Sequence, residues 1–215
     1  MPDYRPGKSR SDYYGVTGVA DVIASVAIRS APSDNLVLKY LQPLISSADD
    51  EYEVIIDYKG MRRPGLNDLR WEHHRWQILT YAWLRSRQPD SKPVKAGVIF
   101  YLNELVPSQE DLKRLQKEVA ESGTDLIPTG EDFEKLRAWR PGRELPVLSK
   151  SFREKRSIRV IPIDEDAIGE SLGEFDNVVR EIESSVLEEK RGVSIRSCWR
   201  TEFREETCTA CDFKT

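Results

Sequence analysis

Residues 53–60 read Glu-Val-Ile-Ile-Asp-Tyr-Lys-Gly (EVIIDYKG), and the fold turns on how this stretch is taken. Val54, Ile55 and Ile56 are apolar β-formers that predict a strand delivering Asp57 and Lys59 to its mouth, where Gly60 starts a turn. Side chains alternate along a strand, so Asp57 and Lys59 share one face and Tyr58 takes the other. A carboxylate beside an ammonium can hold a divalent cation and steady an attacking water. Such a pair also simply ends many strands in solvent, and the neighbouring segments decide between the two.

Downstream, Met61–Asn67 reads as a loop and Asp68–Arg87 as a helix with Trp76, Leu79, Ala82 and Trp83 on its apolar face. His73, Gln77, Tyr81 and Arg85 recur every fourth residue and form one polar stripe. A solvated face suits Arg85; it suits Tyr81 less well, since tyrosine usually packs. Val94–Leu102 (VKAGVIFYL) is the most continuous apolar run and predicts a buried strand. Strand, helix and buried strand in that order imply a βαβ unit with parallel pairing.

Upstream, residues 15–28 (GVTGVADVIASVAI) predict a strand or tight hairpin with Asp21 inside it, either a turn residue after Gly18 or a metal carboxylate. Ser33–Leu44 suits a helix capped by Ser33-Asp34-Asn35 or a strand through Leu36, Leu38 and Tyr40, and Ser46–Glu51 is an acidic loop. Beyond Asn103 come helices at 108–122 and 131–138, a basic Pro/Gly link at 140–143, and a strand at 157–163. A last helix, 164–190, carries Ile168, Leu172, Phe175, Val178, Val179, Ile182 and Leu187 on its apolar side. The expected fold class is α/β with a mixed central sheet flanked by helices. Residues 1–14 form a flexible lead-in and 15–197 one domain, with its core at 15–103 and a peripheral region at 104–197; 198–215 is a cysteine segment.

Composition narrows the function. The 215 residues suffice for about one domain with a proper core. No apolar run approaches the roughly 20 residues of a membrane span, and MPDYRPGKSR is not a secretory leader, so a cytoplasmic location without membrane partners is expected. With 33 basic and 37 acidic residues the net charge is −4, which argues against a nonspecific basic coat. Three cysteines crowd into the last eighteen positions, a clustering that suits metal binding better than a disulfide framework.

Gly18-Val19-Ala20-Asp21, Asp57-Tyr58-Lys59 and Gln77-Ile78-Leu79-Thr80-Tyr81 occur in an order that resembles the PD-(D/E)XK nuclease superfamily. The nearest branch is RecB-like, with its AddB-type helicase-nucleases and CRISPR spacer-adaptation nucleases. The resemblance covers residues 15–103 and the tail, and implies a restriction-endonuclease-like core. It implies that Asp21, Asp57 and the Tyr58 carbonyl hold Mg²⁺ or Mn²⁺, that Lys59 orients the attacking water, and that Gln77 and Tyr81 position Lys59 or the nucleic acid. Cys208 and Cys211 resemble the start of a segment that closes around a [4Fe–4S] cluster, with Cys198 either a substitute ligand or a structural thiol. Two features depart from the family pattern. No helix with a further acidic or histidine residue precedes the first strand, and three cysteines fall short of four cluster ligands, as in a portion of a longer protein or a degenerate member.

The implied activity is metal-dependent DNA hydrolysis, as an exonuclease on single-stranded or end-containing DNA in repair, recombination or CRISPR adaptation, with a helicase or another repair subunit as partner. The alternative is a nuclease-fold binding or scaffold module without turnover; a small zinc or iron–sulfur protein is a third reading. Candidate phosphate contacts are Arg62, Arg63, Arg70, Arg75 and His73 near the site, and Arg153, Lys155, Arg156 and Arg159 as a second set.

Overall fold

A computed structural model of the chain describes residues 2–27, 32, 35–44 and 51–199. The chain divides into a larger unit, Val16–Ser171, and a smaller one made of Met1–Gly15 with Leu172–Thr215.

The larger unit is an α/β structure built on one mixed sheet of four strands, β1 (Val22–Ala27), β2 (Glu51–Lys59), β3 (Val94–Tyr101) and β4 (Ile158–Pro162), adjacent in that order. β1 runs antiparallel to β2, β2 parallel to β3, and β3 antiparallel to β4. The parallel pair is joined by helix α2 (Leu69–Ser86), as the strand–helix–strand pattern predicted. Asp68 starts this helix: its carboxylate accepts the Arg70 N–H from an extended backbone.

Alternation sorts the central strands onto two cores. On one face Ile55, Ile99, Tyr101 and Ile161 pack against Ile78, Leu79 and Ala82 of α2. On the other, Val54, Ala96 and Val98 pack against Leu41 of α1 (Leu36–Leu41). The segment that suited helix or strand is therefore helical, and the Asn35 side chain accepts the Leu38 N–H; Ser33, Asp34 and the acidic loop before Glu51 lie outside the described residues. The stripe α2 buries is Ile78, Leu79, Ala82 and Trp83. Trp76, expected on it, is 39% exposed and gives its indole N–H to the Ser171 carbonyl at 3.2 Å.

Gly97 sets how closely α2 approaches. A Cβ there would stand 2.1 Å from Ile78 Cγ2, far inside contact distance. Gly97→Ala is expected to lower unfolding stability by about 1–3 kcal/mol, the usual cost of overpacking, and adding Ile78→Ala should recover part of it. Equal denaturation midpoints for wild type and Gly97→Ala would show that the helix simply moves away.

Residues 104–157 carry a core of their own. Ser108 and Asp111 cap α3 (Gln109–Ala120) reciprocally, and α4 (Gly130–Ala138) and α5 (Lys150–Ser157) follow. Leu112, Leu115, Leu136, Trp139, Leu148 and Phe152 pack together. The Gln116 amide ties α3 to α4 by donating to the Leu136 and Trp139 carbonyls at 2.6 and 2.9 Å. Helix α5 escaped the sequence reading because KSFREKRS offers one large apolar side chain, Phe152, and no periodic stripe.

Helix α6 (Glu165–Lys190) begins in the larger unit and continues in the smaller, which also holds α7 (Ile195–Cys198). Ile168 packs on the sheet core, but Val178, Ile182 and Leu187 are exposed, so the apolar side of α6 is not buried along its length. The N-terminal residues are not a bare lead-in. They form a 3₁₀ turn at Arg10–Asp12, the Ser9 hydroxyl and Arg10 N–H both donate to Asp176 at 2.8 Å, and the Tyr4 and Tyr14 hydroxyls meet Glu183. These partners are distant in sequence and polar, so no local pattern announces them. Among the described residues no helix is long and apolar enough to cross a membrane.

Candidate active site

The β1–β2 register pairs Val22 with Ile56, and continuing it by one residue sets Asp21 opposite Asp57. Asp21 stands in the bend just before β1, exposed, and its Oδ2 accepts the Tyr58 N–H at 2.9 Å. Asp57 is 4% exposed. Lys59 Nζ lies 2.8 Å from Asp57 Oδ2 and donates to Gln77 Oε1 at 2.7 Å; Gln77 Nε2 donates to the Tyr81 hydroxyl at 2.8 Å. The ammonium approaches Asp57 at ion-pair distance but off the line a hydrogen bond requires, so this buried oxygen lacks a hydrogen-bond donor. Gly18 closes the arrangement: a Cβ on it would meet the Tyr81 ring at 2.6 Å, so the approach to Asp21 runs along that ring. Five residues named from the sequence thus share one neighbourhood.

Helix α2 reaches these groups because it crosses the sheet obliquely. The Arg159 guanidinium of β4 lies 4.1 Å over the Trp71 ring. His74 Nδ1 is 3.1 Å from the Tyr101 hydroxyl of β3, and Gln77 meets Lys59 of β2. Farther along, Arg85 grips Glu53 through two hydrogen bonds of 2.7 Å. Arg85 is accordingly not part of a solvated face; its side chain is 12% exposed. The Tyr58 side chain takes the opposite face, stacked on Phe100 at 5.4 Å.

His74 and Tyr101 were not singled out from the sequence, although both had a signal. His74 lies three residues before Gln77 on the helix, and parallel pairing sets Tyr101 beside Lys59. Burial, then the charges of Lys59 and Arg70, push the His74 imidazole down to about 4, and burial pushes the Tyr101 phenol up to about 12. Both are therefore neutral at physiological pH. His73, which the sequence allowed either to extend the stripe or to stand solvated, is exposed and has no hydrogen bond to any of these groups, as the solvated reading has it.

Among the described residues, no three His, Cys, Asp or Glu side chains converge into a ready cage for a metal. Asp57 presents a buried carboxylate oxygen without a donor, and Asp21 holds its carboxylate on the Tyr58 N–H; both are hard oxygen donors, the type that Mg²⁺ prefers. Cys198 is a buried free thiol whose Sγ is 3.2 Å from the Ser194 carbonyl of its own helical turn, which fits the structural-thiol alternative. Cys208 and Cys211 lie outside the described residues.

The arginines require a correction. Arg62 and Arg63 are 7% and 6% exposed and are not presented to a phosphate. Arg62 pairs with Glu118 at 2.6 Å; Arg63 pairs with Asp125 and donates to the Ile158 carbonyl at 2.6 Å. Arg156 is bound to Glu104, and Arg159 to Asp125 and the Pro64 carbonyl. Arg70 and Arg75 pair with Asp68 and Glu170, and Arg153 donates to the Leu105 and Leu148 carbonyls; of both sets only His73 and Lys155 are exposed and uncommitted among the described residues. Isolated basic letters read as surface; their acidic partners come from other elements, which spacing alone does not reveal.

This network ties the loop after Lys59 to β4, and it makes stability depend on acid. Burial raises the Asp125 carboxyl, but hydrogen bonds and charge from Arg63 and Arg159 outweigh it and hold the group down at about 2. A carboxyl depressed on folding stabilises above its unfolded pKa, near 4, and loses that contribution as pH falls toward 2. Wild type should therefore lose more stability than Asp125→Asn between pH 5 and 2, measured by urea denaturation. Parallel pH curves would remove Asp125 from the acid response.

No family model, no curated protein and no solved structure matches the chain.

Proposed function

We propose that this chain is a metal-dependent nuclease that hydrolyses phosphodiester bonds in DNA, with Asp21, Asp57, Lys59, Gln77 and Tyr81 as its working residues. The observation that carries the reading is the unbroken contact path Asp57–Lys59–Gln77–Tyr81, with Asp21 fixed on the Tyr58 backbone between the first two. Asp57, Asp21 and the Tyr58 carbonyl would hold Mg²⁺ or Mn²⁺, both of which prefer oxygen ligands. The ion, when bound, supplies a water of lowered pKa and neutralises charge on the phosphate.

The chain's own groups do the rest. Asp57 and Gln77 fix the Lys59 ammonium, which keeps an N–H free to orient the attacking water and stabilise the pentavalent phosphorus centre. Tyr81 accepts from the Gln77 amide and so sets which way its carbonyl points. Neutral His74 adds no second positive charge beside Lys59. A [4Fe–4S] cluster on Cys208 and Cys211, and a helicase or other repair or CRISPR-adaptation partner, belong to the same proposal as implications of the family resemblance.

The test is incubation of end-labelled single-stranded and duplex DNA with the protein and Mg²⁺ or Mn²⁺. Fragments should appear with either ion and vanish with chelator. Binding without fragments, across both ions and both substrates, would instead support the binding-module reading.

A further inference from the structure

A groove of about 560 Å³ lies between α3 and α4, within the larger unit and built from residues that the proposed chemistry does not use. Its floor is apolar, made by Val119, Phe133 and Leu136. Its rim is cationic, made by Lys113, Lys117 and Arg137, and no acidic residue lines it. Helical spacing explains the arrangement: Lys113 and Lys117 are one turn apart, as are Phe133 and Arg137, so each helix turns a basic edge beside an apolar one.

The rim charges are available. Lys113 has no ion pair among the described residues. Lys117 and Arg137 reach Glu121 and Glu134 only at 3.9 Å, in exposed pairs that hold little energy. Three cations around an apolar floor, on a chain of net charge −4, form a local exception to the overall charge. The floor also argues about the occupant. A phosphate backbone gains from the lysines but nothing from Phe133 and Leu136, whereas an amphipathic helix satisfies both. The gap is braced by the Gln116 amide, so the groove is preformed.

We propose that this groove docks an acidic amphipathic helix of a protein partner, with one or two bulky apolar side chains entering over Phe133 and Leu136 and flanking Asp or Glu residues meeting Lys113, Lys117 and Arg137. The inference stands independently of the nuclease reading.

The test is selection of a displayed random 16-residue peptide library on the full chain, followed by fluorescence anisotropy of the best clone as a labelled synthetic peptide. Enriched sequences should combine acidic residues with an aromatic or Leu anchor. Binding should weaken at least 10-fold in the Lys113→Glu/Lys117→Glu variant and in Phe133→Asp, with far-ultraviolet circular dichroism unchanged in the first. Salt should weaken the peptide complex, and single-stranded DNA should not displace the peptide. Failure to enrich any peptide, enrichment of basic or uncharged sequences, an unchanged affinity in the lysine variant, or displacement by DNA would each overturn the proposal.

Discussion

Lys59→Ala is expected to slow metal-dependent DNA cleavage about 100- to 1,000-fold, the effect of removing one preorganised donor from a developing oxyanion. The ammonium is held by Asp57 at 2.8 Å and Gln77 at 2.7 Å, so it is oriented before substrate arrives. Its removal leaves Asp57 and Asp21 in place, and Mn²⁺ affinity measured by calorimetry should fall little or even rise, since a competing cation has gone. Asp57→Asn should behave in the opposite way, losing Mn²⁺ affinity and cleavage together. Gln77→Ala should fall between wild type and Lys59→Ala, because it frees the ammonium without deleting it. A Lys59→Ala variant that cleaves at the wild-type rate would take Lys59 out of the chemistry, and with it the contact path on which this site assignment rests.

The same lysine shows how far local pattern carries. Period-two alternation in Glu53–Lys59 and period-four recurrence in His73–Arg85 are each sufficient to orient side chains. Their intersection is what the structure adds: β2 and α2 bring Lys59 and Gln77 together across 18 residues of sequence. The parallel pairing of β2 and β3 was legible because β3 is apolar on both faces and only a covered central strand can be so. β4 was legible as a strand, but its antiparallel pairing with β3 needed the insertion 104–157 to fold back, and nothing in the charged helices there states where they return. The stripe left one inward residue unnamed. His73 and His74 are adjacent letters, and the helix turns the unnamed one toward Tyr101.

Buried charge was the least legible feature, because an arginine is written identically whether solvated or enclosed. Arg156 is the clearest case, at 1% exposure and gripped by Glu104 through contacts of 2.7 and 3.0 Å. Glu104 also accepts the Arg63 N–H at 2.8 Å, so one carboxylate serves the loop after β2 and the end of α5 at once. Glu104→Ala is expected to cost about 3–5 kcal/mol, since it strands a guanidinium away from water. Urea denaturation followed by tryptophan fluorescence reads this directly, because four of the five tryptophans lie in the larger unit. Replacing the pair together, Glu104→Leu with Arg156→Met, should recover much of the loss, because the desolvation cost then disappears with the charges. That recovery separates an enclosed ion pair from mere loss of packing, in which the double variant would be at least as unstable as the single one. A loss below about 1 kcal/mol in Glu104→Ala, the size of an exposed pair, would mean that water reaches Arg156 and that the network does not hold the loop behind Lys59.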